Sequence, residues 1–329
     1  MALAARTGSR RSLDLASAAL DAAEAGRFVE AGRLASEALR RLEPGDRRAS
    51  AETRSRAERA IGTAARGVGR YRDAESAFRR GLAAAEDAFG PDSLEAAELH
   101  NDLGMTHKYA GRFDDAEGAY RRAQDILDSL PEPDPEDLAA LFHNLGGLAH
   151  ARGEFAAAEP LARHAVDLRA AAVGPRDPAT LLDRSAHAAI LAGLGRHDDA
   201  ERSIREVLPD LEASFGPDHP EVAVALNNLA AIVQARGSLG EAEPLYRRVI
   251  RIKEIRLGAD SPLIAGALNN LGTVLRDRGR ADEASALFER ALRLLEGAVA
   301  DDHPTLRTVR RNLQSSCVPA PTELPPRRS

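Results

Sequence analysis

The sequence contains no tryptophan, and aromatic residues make up only 4% of its 329 positions. A compact globule of this length normally fills its centre with large rings. Small and aliphatic side chains in thin interfaces between stacked helices suit this composition better. Cysteine occurs once, at Cys317, which excludes an intrachain disulfide framework and a cysteine-rich zinc site. Lysine is almost absent: Lys108 and Lys253 are the only two. Neither follows a glycine, so a nucleotide-binding P-loop is excluded. The serine-elbow and cysteine–histidine signatures of hydrolases are missing too. No run approaches the roughly 18 apolar residues that cross a bilayer. Ser9-Arg10-Arg11-Ser12-Leu13 loosely resembles a twin-arginine export signal, but Asp14, Asp21 and Glu24 follow where an apolar stretch would be needed. A formal net charge of −6 gives no bulk attraction to nucleic acid or to anionic lipid. The expectation is a soluble cytoplasmic protein that is not an enzyme, needs no cofactor, and binds neither nucleic acid nor membrane.

What the sequence does have is a repeat. Gly26, Gly69, Gly111, Gly153, Gly195, Gly237 and Gly279 stand between paired helical patterns, the first step being 43 residues and each later one 42. Five residues after each comes Ala31, Ala74, Ala116, Ala158, Ala200, Ala242 or Ala284. Eight before come Ala18, Ile61, Leu103, Leu145, His187, Leu229 and Leu271, and seven before come Ala19, Gly62, Gly104, Gly146, Ala188, Ala230 and Gly272. Helices approach closely only where crossing residues are small, so the alanine and glycine columns mark contacts and the aliphatic column fills the space beside them. The turn glycine supplies a left-handed residue ending the first helix. Asp73, Asp114, Asp198 and Asp282 are then expected as N-caps of the second. Asp218-His219-Pro220 and Asp302-His303-Pro304 restart the next repeat, with proline suited to a first turn. Pro209 falls deep in a second helix and is expected to kink or shorten it.

The unit Leu226-Asn227-Asn228-Leu229-Ala230, then Gly237, then Glu241-Ala242-Glu243-Pro244-Leu245-Tyr246, then Leu257-Gly258 resembles the 42-residue tetratricopeptide repeat of kinesin light chains. The resemblance covers residues 10–316. It implies an all-α, right-handed superhelical solenoid of about seven antiparallel helix pairs plus a C-terminal capping helix over 303–316. Residues 1–9 are expected to be a disordered start and 317–329 a disordered, proline-rich tail. No separate effector domain fits in either.

In such repeats the first helix of each pair lines a concave surface that takes extended peptides. Along it run Asn101, Asn144, Asn227, Asn228, Asn269 and Asn270, with His143, Gln234 and Arg276 beside them. An asparagine amide can donate to and accept from a peptide backbone whatever the peptide's side chains. The same asparagines could instead bond neighbouring helices. Gly147, Ala189, Ala231 and Thr273 are small and leave room. Arg56, Arg59, Arg66 and Lys108 form a possible patch for an acidic partner, unless they pair with local glutamates such as Glu52 and Glu58. The lysine–asparagine clamp of chaperone-binding relatives is not reproduced, with Thr63 and Ala140 at its positions. His100 and His107, like His143 and His150, are seven residues apart, about 10 Å along a helix, too far for one metal ion to join. The expected function is a scaffold or adaptor holding an extended peptide or a partner's helix. The alternatives are a peptide-responsive regulatory subunit acting on a separate effector, or an accessory subunit of an enzyme complex.

Overall fold

All seven turn glycines hold positive φ, between 72° and 82°. The backbone reaches back over each of them. The Arg112 amide donates to the His107 carbonyl at 2.9 Å and the Gly111 amide to that of Lys108 at 3.0 Å, closing the orphan carbonyls of the helix end. The computed structural model describes residues 2–42 and 47–316, so the expected tail at 317–329 lies outside the described residues. Seven helix pairs follow in order: α1 Ala2–Glu24 with α2 Phe28–Arg40, α3 Arg47–Gly67 with α4 Tyr71–Phe89, α5 Leu94–Tyr109 with α6 Phe113–Ser129, α7 Pro135–Ala151 with α8 Phe155–Val173, α9 Pro178–Gly193 with α10 His197–Phe215, α11 Pro220–Ala235 with α12 Leu239–Leu257, and α13 Ala265–Asp277 with α14 Ala281–Leu295. A 3-10 turn, Pro262–Ile264, precedes α13, and α15 spans Pro304–Ser316. No strand occurs among the described residues. The first helix begins already at Ala2, where a disordered start was expected; Ala2-Leu3-Ala4-Ala5-Arg6 are all strong helix formers.

The chain divides into two compact units, Met1–Ser214 and Phe215–Ser329. Within the first, from α1 to α9, each helix packs on the next and each first helix on that of the following pair. The second repeats this from α11 to α15. There α15 lies on α13 and α14 with Leu306 and Val309 buried, as expected of a helix covering an apolar face.

The links set the helix starts. Three residues with the turn glycine in the middle separate paired helices, so the N-cap falls on Arg70, Arg112 or Arg280, none with a side-chain capping bond. Asp73, Asp114, Asp198 and Asp282 therefore sit inside the first turn rather than at the cap. There they complement the positive end of the helix instead. Longer links between repeats do use side-chain caps, as with Ser93, Asp134, Asp177 and His219. His219 and His303 accept from the Glu221 and Thr305 amides through Nδ1 at 3.3 and 3.1 Å, so both loop histidines are structural.

The glycine column marks where a ring from the second helix lies on the first. A Cβ added at Gly62 would stand 2.7 Å from the Phe78 ring, and one at Gly272 would stand 2.5 Å from that of Phe288. Tyr120 covers Gly104 in the same way. Where the second helix brings Ala162 instead, the backbones close up, and a Cβ at Gly146 would meet the Ala162 amide nitrogen at 3.2 Å. Pro209 does not shorten α10, whose 19 residues match α4, a second helix with no internal proline. Buried Ile204, Val207 and Leu211 flank it, and their packing offsets the missing backbone bond.

His187 interrupts the aliphatic column. Its Nε2 is buried without a hydrogen bond, the Glu159 carboxylate lying 3.5 Å away. Burial pushes its pKa down, and Glu159 only partly opposes this. The unfolded chain therefore takes up the proton first as pH falls below about 6.5, and stability is lost in that direction. His187→Leu, restoring the column, is expected to raise stability by about 1 kcal/mol at pH 8. The gain should be larger at pH 5.5. Thermal melts at both pH values check this, and an equal or lower melting temperature would contradict it.

Candidate functional site

The asparagines of the first helices form a ladder between neighbouring repeats. Asn144 Nδ2 donates to Asn101 Oδ1 at 3.0 Å, from α7 to α5. In the second unit Asn270 Nδ2 donates to Asn227 Oδ1 at 3.4 Å and Asn312 Nδ2 to Asn269 Oδ1 at 2.8 Å. Every rung joins a residue ten before one turn glycine to a residue 43 further along the chain. Asn144 and Asn269 are buried, whereas Asn101, Asn227, Asn228 and Asn270 keep part of their surface. The ladder uses the carbonyls of Asn101 and Asn227 but not their NH2 groups.

At the same register α3 and α5 carry charges. Arg59 Nε donates to Asp102 at 2.7 Å and its Nη1 to Glu98 at 2.6 Å. Arg66 donates to the other Asp102 oxygen at 2.8 Å and lies over the Phe78 ring. Burial would raise the Asp102 pKa, but Arg59 and Arg66 outweigh it and hold the carboxyl below its usual range. Arg56 pairs with Glu52 at 3.1 Å and donates to Ser17. Three of the four cations expected to meet an acidic partner are thus engaged within the fold. Their carboxylates come mainly from the next first helix, which is why local glutamates alone did not reveal the pairing. Glu58 instead holds Arg80.

Lys108 is the exception. It has no ion pair or hydrogen bond among the described residues, its Nζ lies 5.2 Å from the Tyr109 ring centroid, and desolvation, with Arg66 adding to it, pushes its pKa down to about 8.

The ladder breaks at the most divergent repeat. Ala186 stands where a rung would reach from His143, and His143 turns to Asp183 on α9 at 2.7 Å. Asp183 is buried and also takes Arg169 at 2.6 Å. In the second unit Gln234 accepts from the Tyr246 hydroxyl at 3.1 Å and donates to Thr273 at 3.0 Å, while Arg276 pairs with Asp277 at 3.4 Å.

Beside Asn101 lies a cavity of 90 Å³ walled by Arg59, Leu94, Glu98, Asp137 and Ala140. Burial, reinforced by Glu98, raises the Asp137 pKa to about 6. Asp102, Asp183 and Asp137 were not singled out in the sequence. Asp102 alone left a readable signal, since it occupies the column of Asn144, Asn228 and Asn270. Among the described residues no group of three or more histidine, cysteine or carboxylate side chains is placed to hold a metal ion, and no helix is long and apolar enough to cross a membrane.

Two tetratricopeptide-repeat family models match, one over residues 53–129, 137–212 and 183–255 and the other over 264–305. No curated protein matches the sequence. Among solved structures, a Rap protein complexed with competence and sporulation factor is similar, with a TM-score of 0.68, 14% identity, and coverage of 94% of this chain and 88% of that one. The apo form of RapI gives a TM-score of 0.54 at 12% identity, covering 93% and 85%. BtubC (BKLC) from P. vanneervenii gives 0.48 at 21% identity, covering 70% and 91%. The two Rap matches, at identities this low, establish likeness of fold alone.

Proposed function

The chain belongs to the tetratricopeptide-repeat family, and from that premise we propose that it is a protein-interaction scaffold whose first-helix face holds an extended peptide. The observation that carries this reading is the half-used asparagine ladder. Two of the three rungs fix the carbonyl of Asn101 or Asn227 against the next repeat, which sets the orientation of the amide (the O and N positions follow from the bonding network). The NH2 groups are left as oriented donors on a partly exposed surface, suited to the carbonyls of an extended backbone. Such preorganised donors lower the ordering cost of binding. Matched models that describe repeats and no catalytic domain support a binding role rather than a chemical one. The Rap protein solved with competence and sporulation factor lends support to a second reading, a peptide-responsive regulatory subunit acting on a separate effector.

Replacing all the asparagines by alanine would also remove the rungs, so a sharper variant is needed. Asn101→Asp with Asn227→Asp keeps an oxygen for the neighbouring donor and replaces the outward NH2 by a carboxylate oxygen, which cannot donate. Ligands selected from a displayed random 12-residue peptide library on the wild-type chain are expected to bind this variant about 3- to 10-fold more weakly, the equivalent of one lost hydrogen bond in whichever unit the peptide occupies. Helical content and melting temperature should hold. Unchanged affinity would place the site on another surface.

A further inference from the structure

The repeat allows one position to be compared across the two units. Lys108 and Gln234 both stand three residues before their turn glycines, Tyr120 and Tyr246 both nine after, and Gly147 and Thr273 both six before the next. In the second unit these positions close a chain of hydrogen bonds: Tyr246 hydroxyl to Gln234, Gln234 to the Thr273 hydroxyl, and that hydroxyl to the Asn270 carbonyl at 2.7 Å. In the first unit none of these links forms. The Tyr120 hydroxyl is fully buried and has no hydrogen-bond partner. Its ring lies against Gly104, one helical turn before Lys108 on the same face of α5. Gly147 brings no side chain, and a Cβ placed there would stand 3.1 Å from the Lys108 Nζ. Two donors, one of them cationic, thus occupy the repeat positions at which Gln234 and Tyr246 meet acceptors. The carboxylate of Asp102, on the same helix as Lys108, already accepts from Arg59 and Arg66. Arg66 acts electrostatically on both Lys108 and Tyr120, and at Tyr120 its paired Asp102 opposes it.

We propose that Lys108, Tyr120 and the bare backbone at Gly147 form a carboxylate-accepting notch between α5 and α7, filled by an aspartate or glutamate side chain of the bound partner peptide. The assignment rests on the peptide-binding reading of this face, because Lys108 lies two helical turns from Asn101 on the same side of α5. An acceptor here satisfies the ammonium and the phenol together, and a charge-assisted bond in a partly desolvated site is stronger than a neutral one. A buried hydroxyl left without an acceptor is a cost that bound ligand would remove. The arrangement differs from a clamp on a peptide C-terminus, since a buried tyrosine and a single lysine do the work.

The second unit supplies the test variant. Lys108→Gln reproduces Gln234 and gives Tyr120 the acceptor that Tyr246 has, so its melting temperature is expected to hold or rise. Peptides selected on the full wild-type chain should carry an acidic residue at one shared position. Changing that residue to its amide should weaken binding to wild type at least tenfold, and to Lys108→Gln less than twofold. An equal penalty in both proteins would overturn the notch while leaving peptide binding intact.

A second readout needs no peptide. With only two lysines in the chain, acetylation by the N-hydroxysuccinimide ester of acetic acid can be mapped to each by mass spectrometry. Sodium acetate, against sodium chloride at equal ionic strength, should slow labelling of Lys108 several-fold and leave Lys253 unchanged, since Lys253 already donates to the Leu263 carbonyl at 2.9 Å. Equal rates at Lys108 in the two salts would overturn the notch. Protection by acetate with no acidic preference among bound peptides would overturn the peptide side chain as its occupant and assign the site to small carboxylate anions. Failure to select any peptide, with acetate protection intact, would count against the peptide-binding reading and not against the notch's chemistry.

Discussion

Asp102→Ala is expected to cost about 3–5 kcal/mol of folding stability, the range for removing one partner from a buried ion pair. Asp102 is only 6% exposed and binds two guanidiniums, one on each oxygen. Its loss leaves Arg59 with Glu98 alone and Arg66 with no carboxylate in a site where both arginines are largely shielded. The carboxyl is held below its usual range, so its contribution is complete above about pH 4, the unfolded value, and fades as pH falls through the lower folded value. Urea titrations at pH 7 and pH 3 are the measurement. The gap between wild type and variant should be smaller at pH 3 than at pH 7. A loss under about 1 kcal/mol at pH 7 would show that these ions behave as an exposed pair.

Phe288→Ala is expected to cost about 3–5 kcal/mol as well, through a cavity. The Phe288 ring is fully buried over Gly272, whose missing Cβ is what admits it. Glycine has no side chain that could relax into the space, so the void persists. Gly272→Ala attacks the same contact from the other side, driving a Cβ into the ring, and should also destabilise, by about 1–3 kcal/mol. Urea unfolding of both variants checks the pairing. A Phe288→Ala loss under about 1.5 kcal/mol would mean that the ring is not the element that spaces α13 from α14.

Much of this structure was legible beforehand. Seven turn glycines, seven alanines five residues on, and an aliphatic column eight residues back located every helix pair, because each column answers to a local requirement: a left-handed turn or a close crossing. The ring opposite the glycine column was harder to see. It occurs as Phe78, Tyr120, Tyr246 and Phe288 but is replaced by Ala35, Ala162 and Ile204, since a repeat can fill the gap with a ring or with a smaller side chain. Capping was misread for Asp73 and Asp114, because the length of the link, not the side chain, decides which residue begins the helix.

The candidate site was legible in position and not in state. Periodicity placed Asn101, Asn227 and Asn270 on one face, and it also placed Arg59, Arg66 and Lys108 there. Which of them remain available depends on partners about one repeat away along the chain. Asn144 and Asp102 reach across to earlier helices, and no such partner reaches Lys108. The sequence by itself determined the repeat, its turns and the face that carries polar groups, since those follow from contacts within a helical hairpin. Only the tertiary structure decided which polar groups bond one another and which do not, because a rung forms between neighbouring hairpins and depends on angstrom-scale separations that spacing along the chain does not encode.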